Sequence, residues 1–249
     1  MPFPVPTAIV SHRGGAFLWP ENSLDAFRNS LALPVEQCEC DVHLSADGVP
    51  VVIHDAMLER TTEGKGPVAA QGAAALSRLR LRGAGASRVP LLAEVAALFR
   101  GRDQQLQVEV KTAPGAAPDP ALVPRTLAVL DAAGIRGQSR IIAFDAPLVA
   151  EAAAAGGLAG TIWLFEAALL RRIGVAGVIG VARAHGFTMV ETEIGALDAA
   201  LVETLRAAGL GIGAWGANHA GTIGKALALG VDAMATDDPV LALRLRDGG

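Results

Sequence analysis

Val35-Glu-Gln-Cys-Glu-Cys-Asp-Val-His-Leu44 reads as one β-strand, and the recurrence of such runs along the chain decides the fold. Glu39 and Asp41 are separated by a single apolar residue, so on a strand both carboxylates project from one face while Cys38 and Cys40 project from the other. Seven further short β-branched or apolar runs lie at 8–11, 106–111, 140–144, 160–164, 187–191, 211–215 and 231–236. Alanine- and leucine-rich helical stretches accompany them near 23–33, 91–100, 120–133, 146–155, 166–185, 198–208, 221–229 and 239–246. This alternation predicts a parallel sheet covered by helices. Eight β-then-α units predict the α/β class and a closed (β/α)8 TIM barrel, and the 249 residues suit it. One domain over 1–249 is expected.

The rhythm breaks once. Ser45-Ala-Asp-Gly-Val-Pro50 stands where a helix should follow the second strand, and Asp-Gly between apolar runs signals a hairpin. Pairing Leu44 with Val49 would set His54 opposite Glu39, at the level of the carboxylates; that register is an expectation, because both barrel neighbours compete for the strand. Residues 56–88 then form a small insertion rich in glycine, alanine and arginine, expected to cap the mouth of the site.

A chain that is 51% hydrophobic can bury a large core. Its net charge of −4, with no basic stripe, argues against a nucleic-acid partner. The apolar stretch 173–182 is far short of the roughly 20 residues that cross a bilayer, so no stable membrane insertion is expected and it reads as a buried helix or connection. Met1-Pro-Phe-Pro-Val-Pro6 lacks the basic start and apolar segment of a secretory signal, so the mature chain is expected to begin near Met1. Cys38 and Cys40, whose Cα atoms on a strand lie about 6.5–7 Å apart, are at or beyond the disulfide limit. No further cysteine or closely spaced histidine pair completes a metal site around them. Free thiols fit a reducing cytosol, making cytoplasmic the expected location, and a homo-oligomer is compatible with these totals.

In barrels of this kind the active site lies at the carboxyl ends of the strands. His12 and Arg13 end the first strand, Glu39 and Asp41 lie late in the second, and Glu109 and Lys111 end the third. One rim therefore receives every charged candidate, whereas chance charges would scatter. Such charge density is costly to bury without compensation, and a divalent metal beside a phosphate supplies it, so a metal-dependent phosphate-ester site is predicted. Three carboxylates without a thiolate suit a hard, oxygen-seeking ion; the competing reading is a set of structural ion pairs. Arg13 and Lys111, one of three lysines, suit phosphate oxygens. His12 and His54 suit the acid and base needed on opposite sides of a phosphorus, whereas His43, His185 and His219 read as packed or surface residues. Asp55 is placed to orient His54, Asn22 to cap the first helix, and 237–239 to start the last one. Trp215 and Phe144 suit an apolar wall for the organic portion of a substrate, while Trp163 and Phe165 fit that wall or barrel packing equally. Glu191 and Glu193 sit near a strand end without an assigned task.

Taken in order, His12-Arg13-Gly14, Glu21-Asn22, Glu39-Cys-Asp41, His54-Asp55 and Glu109-Val-Lys111 resemble the motif series of the glycerophosphodiester phosphodiesterase family. The match is specific over residues 11–111 and looser beyond, through Trp215-Gly-Ala-Asn218 and Thr236-Asp-Asp-Pro239. Gly216 departs from the hydroxyl residue usual after that tryptophan, which bears on fine substrate contacts. The resemblance implies that Glu39, Asp41 and Glu109 hold a divalent cation, Mg²⁺ or Ca²⁺. It also implies a role for Glu21 in ordering the site or touching substrate. The implied reaction hydrolyses small-molecule glycerophosphodiesters, such as glycerophosphocholine, to sn-glycerol 3-phosphate and an alcohol. The resemblance implies that the substrate's own hydroxyl attacks, passing through a cyclic phosphate that water later opens; direct attack by metal-bound water is the competitor.

Three other readings use the same residues differently. Lysophospholipids or other phosphodiesters would need a long apolar groove or membrane-facing patch, and no amphipathic basic helix recommends one. A phosphate-binding barrel without turnover would have no use for paired proton carriers. A barrel isomerase or aldolase could use Lys111 but would leave Glu39 and Asp41 without a purpose.

Overall fold

The computed structural model describes residues 6–83 and 85–248, so the reading of residues 1–5 as part of a leaderless start lies outside it. Among the described residues one sheet contains β1 (Ala8–Ser11), β2 (Gln37–Leu44), β3 (Pro50–Val52), β4 (Gln105–Val110), β5 (Ser139–Ala143), β6 (Gly160–Phe165), β7 (Met189–Glu193), β8 (Gly211–Trp215) and β9 (Ala233–Thr236). The order β1-β9-β8-β7-β6-β5-β4-β2, closed by pairing of β1 with β2, is an eight-stranded parallel barrel. The short β3 lies antiparallel on the end of β2. Around the barrel run α1 (Leu24–Ser30), α2 (Ala73–Leu76), α3 (Leu92–Leu98), α4 (Leu122–Ala133), α5 (Ala146–Ala155), α6 (Ala167–His185), α7 (Ala199–Ala207), α8 (Ala220–Leu229) and α9 (Pro239–Asp247). The chain is a (β/α)8 TIM barrel, as the alternation predicts.

Period-two alternation sorts the barrel residues. Cys38, Cys40 and Val42 of β2 and Leu106, Val108 and Val110 of β4 join one buried cluster with Phe27, Val95, Phe99 and Leu130 of the helical layer. Both cysteines are free and buried there. The opposite residues of these two strands, Gln37, Glu39, Asp41, Gln107 and Glu109, are also buried, but inside the barrel. Asp41 pairs with Glu109 and Glu39 with Gln107 across the ladder. Elsewhere the interior is mainly apolar, with Ile142, Ile162 and Leu164 in one cluster and Val10, Ala233 and Ala235 in another, and with Glu191 of β7 as its buried acid. Polar burial is thus concentrated on adjacent strands, where it costs stability unless the groups find partners.

Four local expectations are corrected. The hairpin pairs Leu44 with Pro50, not Val49. Its connection is the three residues 46–48, closed by Ser45 N donating to Val49 O at 3.0 Å, with Gly48 at φ 73° in the left-handed position such a loop requires. A one-residue slip would turn His54 to the wrong face, but β3 ends at Val52 and the chain leaves the ladder before His54. Strand β7, the sixth of the expected runs, starts at Met189 rather than 187, because Phe187 N donates to Ala182 O at 2.8 Å and is consumed in closing α6. Ser23, not Asn22, caps α1 by accepting from Ala26 N. The stretch 173–182 lies in α6 on the outside of the barrel, with only Val178 and Ala182 of that helix fully buried.

Among the described residues no helix is long and apolar enough to cross a membrane. Leu58, Val68 and Leu76 from the segment after β3 bury against Val51 and Ile53, a small core outside the barrel. Only the start of that segment, through Asp55, Ala56 and Met57, reaches the rim of the central cavity.

Candidate active site

A cavity of about 880 Å³ opens at the carboxyl ends of the strands, lined by His12, Arg13, Glu39, His54, Glu109, Lys111 and Trp215 among others. Beneath its β1–β4 side, carboxylate oxygens of Glu39, Asp41 and Glu109 lie within 4.8 Å of one another. Each carboxylate is held by one oxygen. Arg13 N donates to Glu39 Oε2 at 3.0 Å, Asn22 Nδ2 to Asp41 Oδ2 at 2.8 Å, and Lys111 Nζ to Glu109 Oε1 at 2.8 Å. Glu39 Oε1 and Asp41 Oδ1 are buried without a hydrogen-bond partner, although Lys111 Nζ lies 3.5 Å from the latter. Orphaned, buried carboxylate oxygens facing one point are a donor set that fits a divalent cation with oxygen ligands.

Electrostatics support the same fit. Burial, then the charges of Asp41 and Glu109, drive the Glu39 carboxyl well above its ordinary range. Burial pushes Glu109 up to about 7 against the pull of Lys111, with Asp41 adding to the rise. Asp41 goes the other way, because Lys111 and Arg13 outweigh its burial and hold it well below the usual carboxylate range. Arg13 and Lys111 are desolvated, but the surrounding carboxylates keep both firmly protonated. Three acids against two bases leave a negative remainder that a cation would neutralise.

The loop after β1 is built to deliver these contacts. Arg13 and Asn22, at φ 51° and 56°, are the non-glycine residues with positive φ among those described, and both hold the acidic triad. Such strain persists where surrounding contacts over-determine it. Gly14 is required for a different reason, since a Cβ there would stand 2.7 Å from that of Ala26.

Each candidate histidine belongs to a histidine–aspartate pair. His54 Nδ1 lies 2.7 Å from Asp55 Oδ1, and hydrogen bonds from Arg60 push Asp55 down to about 2, so the ring nitrogen donates. Burial outweighs the nearby carboxylates and lowers the His54 pKa, favouring neutral imidazole. His12 Nδ1 sits 2.6 Å from Asp237 Oδ1, and Asn218 Nδ2 donates to the other oxygen at 2.6 Å. His12 Nε2 is 3.9 Å from Glu39 Oε2, beside the triad.

The partnership of Asp237 and Asn218 with His12 is what sequence reasoning missed: the cap of α9 is Asp238, which accepts from Leu241 N, and this releases Asp237 to face His12. The adjacent acids made both look like one helix start. Glu21 does not line the cavity; it receives Arg13 and Arg60, so Arg60 ties it to Asp55. His43 also lines the cavity, and its Nε2 donates to His54 O at 3.0 Å. Trp215 meets Phe144 edge-to-face at 6.3 Å on the cavity wall, while Trp163 and Phe165 pack in the outer core.

One rim of this (β/α)8 barrel thus gathers a buried three-carboxylate cluster, two basic side chains and two oriented imidazoles, a set of groups chemically able to bind an anion and exchange protons with it. Residues 12–241 match the glycerophosphoryl diester phosphodiesterase family, and the chain belongs to that family. A crystal structure from Agrobacterium tumefaciens, assigned as a glycerophosphoryl diester phosphodiesterase, is 30% identical with TM-score 0.95, covering 98% of both chains. The glycerophosphodiester phosphodiesterase of Caldanaerobacter subterraneus is 34% identical over 43% of this chain and 46% of its own length. Glycerophosphodiester phosphodiesterase 1 of Bos taurus is 42% identical over 23% of this chain and 17% of its own. The matches thus cover less than half of either relative's length. A phosphodiesterase of Oleispira antarctica, solved in complex with the product sn-glycerol-3-phosphate, shares the fold at TM-score 0.82 and 22% identity, over 97% of each chain.

Proposed function

We propose that this chain is a metal-dependent phosphodiesterase that hydrolyses glycerophosphodiesters to sn-glycerol 3-phosphate and an alcohol. The carrying observation is the buried triad Glu39, Asp41 and Glu109 beside two oriented imidazoles. Family membership supports the substrate class, and the Oleispira complex supports the product. In this reading the three carboxylates hold Mg²⁺ or Ca²⁺, which when bound neutralises phosphate charge and polarises its oxygens. Arg13 and Lys111 bind phosphate oxygens by charge-assisted hydrogen bonds. With Nδ1 committed to an aspartate, each imidazole keeps Nε2 for proton transfer: one takes the proton of the attacking hydroxyl and the other protonates the leaving alcohol, and where the attacker is the substrate's own hydroxyl, water then opens the cyclic phosphate with the two roles reversed. Asp55 and Asp237 fix both tautomers and stabilise the imidazolium that forms. Glu21 orders Arg13 and Arg60, and Trp215 with Phe144 walls the cavity against the organic part of the substrate.

The test is a panel of glycerophosphodiesters assayed with and without chelator, detecting glycerol 3-phosphate. Release that stops with chelator and returns with Mg²⁺ or Ca²⁺ is expected; no release from any diester would overturn the reading. Asp237→Asn is expected to lower kcat by about 10²–10⁴-fold with KM little changed, because it removes the charge that supports His12. Steady-state kinetics on the folded variant check this; an unchanged kcat would exclude Asp237 as a positioning residue.

A further inference from the structure

The charges of the cavity are divided by strand. Strands β1 to β4 supply the histidines, both basic side chains and the acidic triad, whereas the arc from β5 to β8 carries no basic group on its cavity face. On that arc stand Asp145 after β5, Glu166 after β6, Glu191 within β7 and Trp215 at the end of β8. Among the described residues no lysine or arginine forms an ion pair with any of these three acids.

Their own helices do not use them either. Asp145 and Glu166 occupy the N-cap positions of α5 and α6, yet neither side chain makes a capping hydrogen bond. Glu193 Oε1 accepts from Ala167 N instead, leaving Glu166 free at the cavity edge. Asp145 Oδ1 is inaccessible and unpartnered. The deeper Glu191, 3% exposed, lines the same cavity with Oε2 unpartnered, in space kept open because a side chain at Gly213 would collide with its carboxylate. Above it the half-exposed ring of Phe144 meets Trp215 edge-to-face. Asp145 and Glu166, acids without a basic partner beside these aromatic faces, make an environment for a cationic group, quaternary ammonium included.

We propose that the β5–β8 side of the cavity is a subsite for a positively charged alcohol, the head group of a zwitterionic glycerophosphodiester, held by Asp145 and Glu166 against Phe144 and Trp215. This rests on the phosphodiesterase reading and adds the class of alcohol: an amino alcohol or its quaternary form. A substrate with phosphate at one end and ammonium at the other matches the two halves of the cavity, and a neutral polyol matches only one.

The experiment compares kcat/KM for glycerophosphocholine and for the neutral-headed glycerophosphoglycerol, in the parent protein and in Asp145→Asn/Glu166→Gln. The parent is expected to favour the cationic diester by about tenfold, and the double variant to bring that ratio close to one. Equal efficiency in the parent overturns the subsite while leaving the phosphodiesterase reading intact. A preference that persists in the folded double variant also overturns it. Should the double variant not fold, Glu166→Gln alone, at an exposed position, carries the comparison and is expected to lower the ratio. Hydrolysis of neither diester, nor of any other, overturns both proposals.

Discussion

Replacing His12 or His54 by alanine is expected to slow glycerophosphodiester hydrolysis by about 10²–10⁴-fold, the span of lost general acid–base help. The fold should survive, since both side chains are partly exposed at the rim rather than packed in the barrel core. The two variants should differ in cause but not in kind. His54 leans on Asp55, which Arg60 anchors, whereas His12 leans on Asp237, which Asn218 anchors. The double variant should fall little below the worse single one if the two imidazoles act as a unit. Parent-like rates in both single variants, with unchanged circular dichroism, would remove them from the reaction.

Stripping divalent ions is expected to abolish turnover and to make stability depend on pH in a defined direction. Glu39 and Glu109 have folded pKa values raised above their unfolded ones, to about 7 for Glu109. The sign follows: their contribution is fully present below about pH 4.5 and is lost as pH rises through the folded values, so the metal-free protein weakens between about pH 4.5 and 8. For Glu109 alone the loss is on the order of 3 kcal/mol. Glu191, raised to about 8 by burial and then by Glu109, adds to it in the same direction. Asp41 and Asp55, held low, act oppositely and only at acid pH. A bound cation favours the ionised triad, so Mg²⁺ or Ca²⁺ should raise the melting temperature by several degrees at pH 8 and by much less at pH 5. Melts with and without chelator at both values decide it; a shift absent at pH 8, or larger at pH 5, would refute a cation held by these three groups.

Much of this was legible in the residues, because it rests on local periodicity. The alternation of apolar runs with alanine- and leucine-rich stretches predicts the barrel, and the two-residue spacings in Glu39-Cys-Asp41 and Glu109-Val-Lys111 place each pair on one strand face. The hairpin was legible as a hairpin but not in register, since Asp47 takes Ser45 Oγ and Ala73 N and settles a three-residue connection that no local propensity specifies. Asn22 looks like a cap from its neighbours, yet Asp41, brought beside it by the packing of β2 against the loop after β1, claims its amide.

By itself, then, the sequence determined a (β/α)8 barrel and the rim that carries its charges, because strand and helix periods and the direction of parallel strands leave few alternatives. Only the tertiary structure decided that Asp237 rather than its neighbour faces His12, that Glu21 stands behind Arg13, and that the unpaired acids collect on the arc from β5 to β8. Those are relations across as many as 225 residues of chain, set by barrel closure and cap choice, and no short-range pattern encodes them.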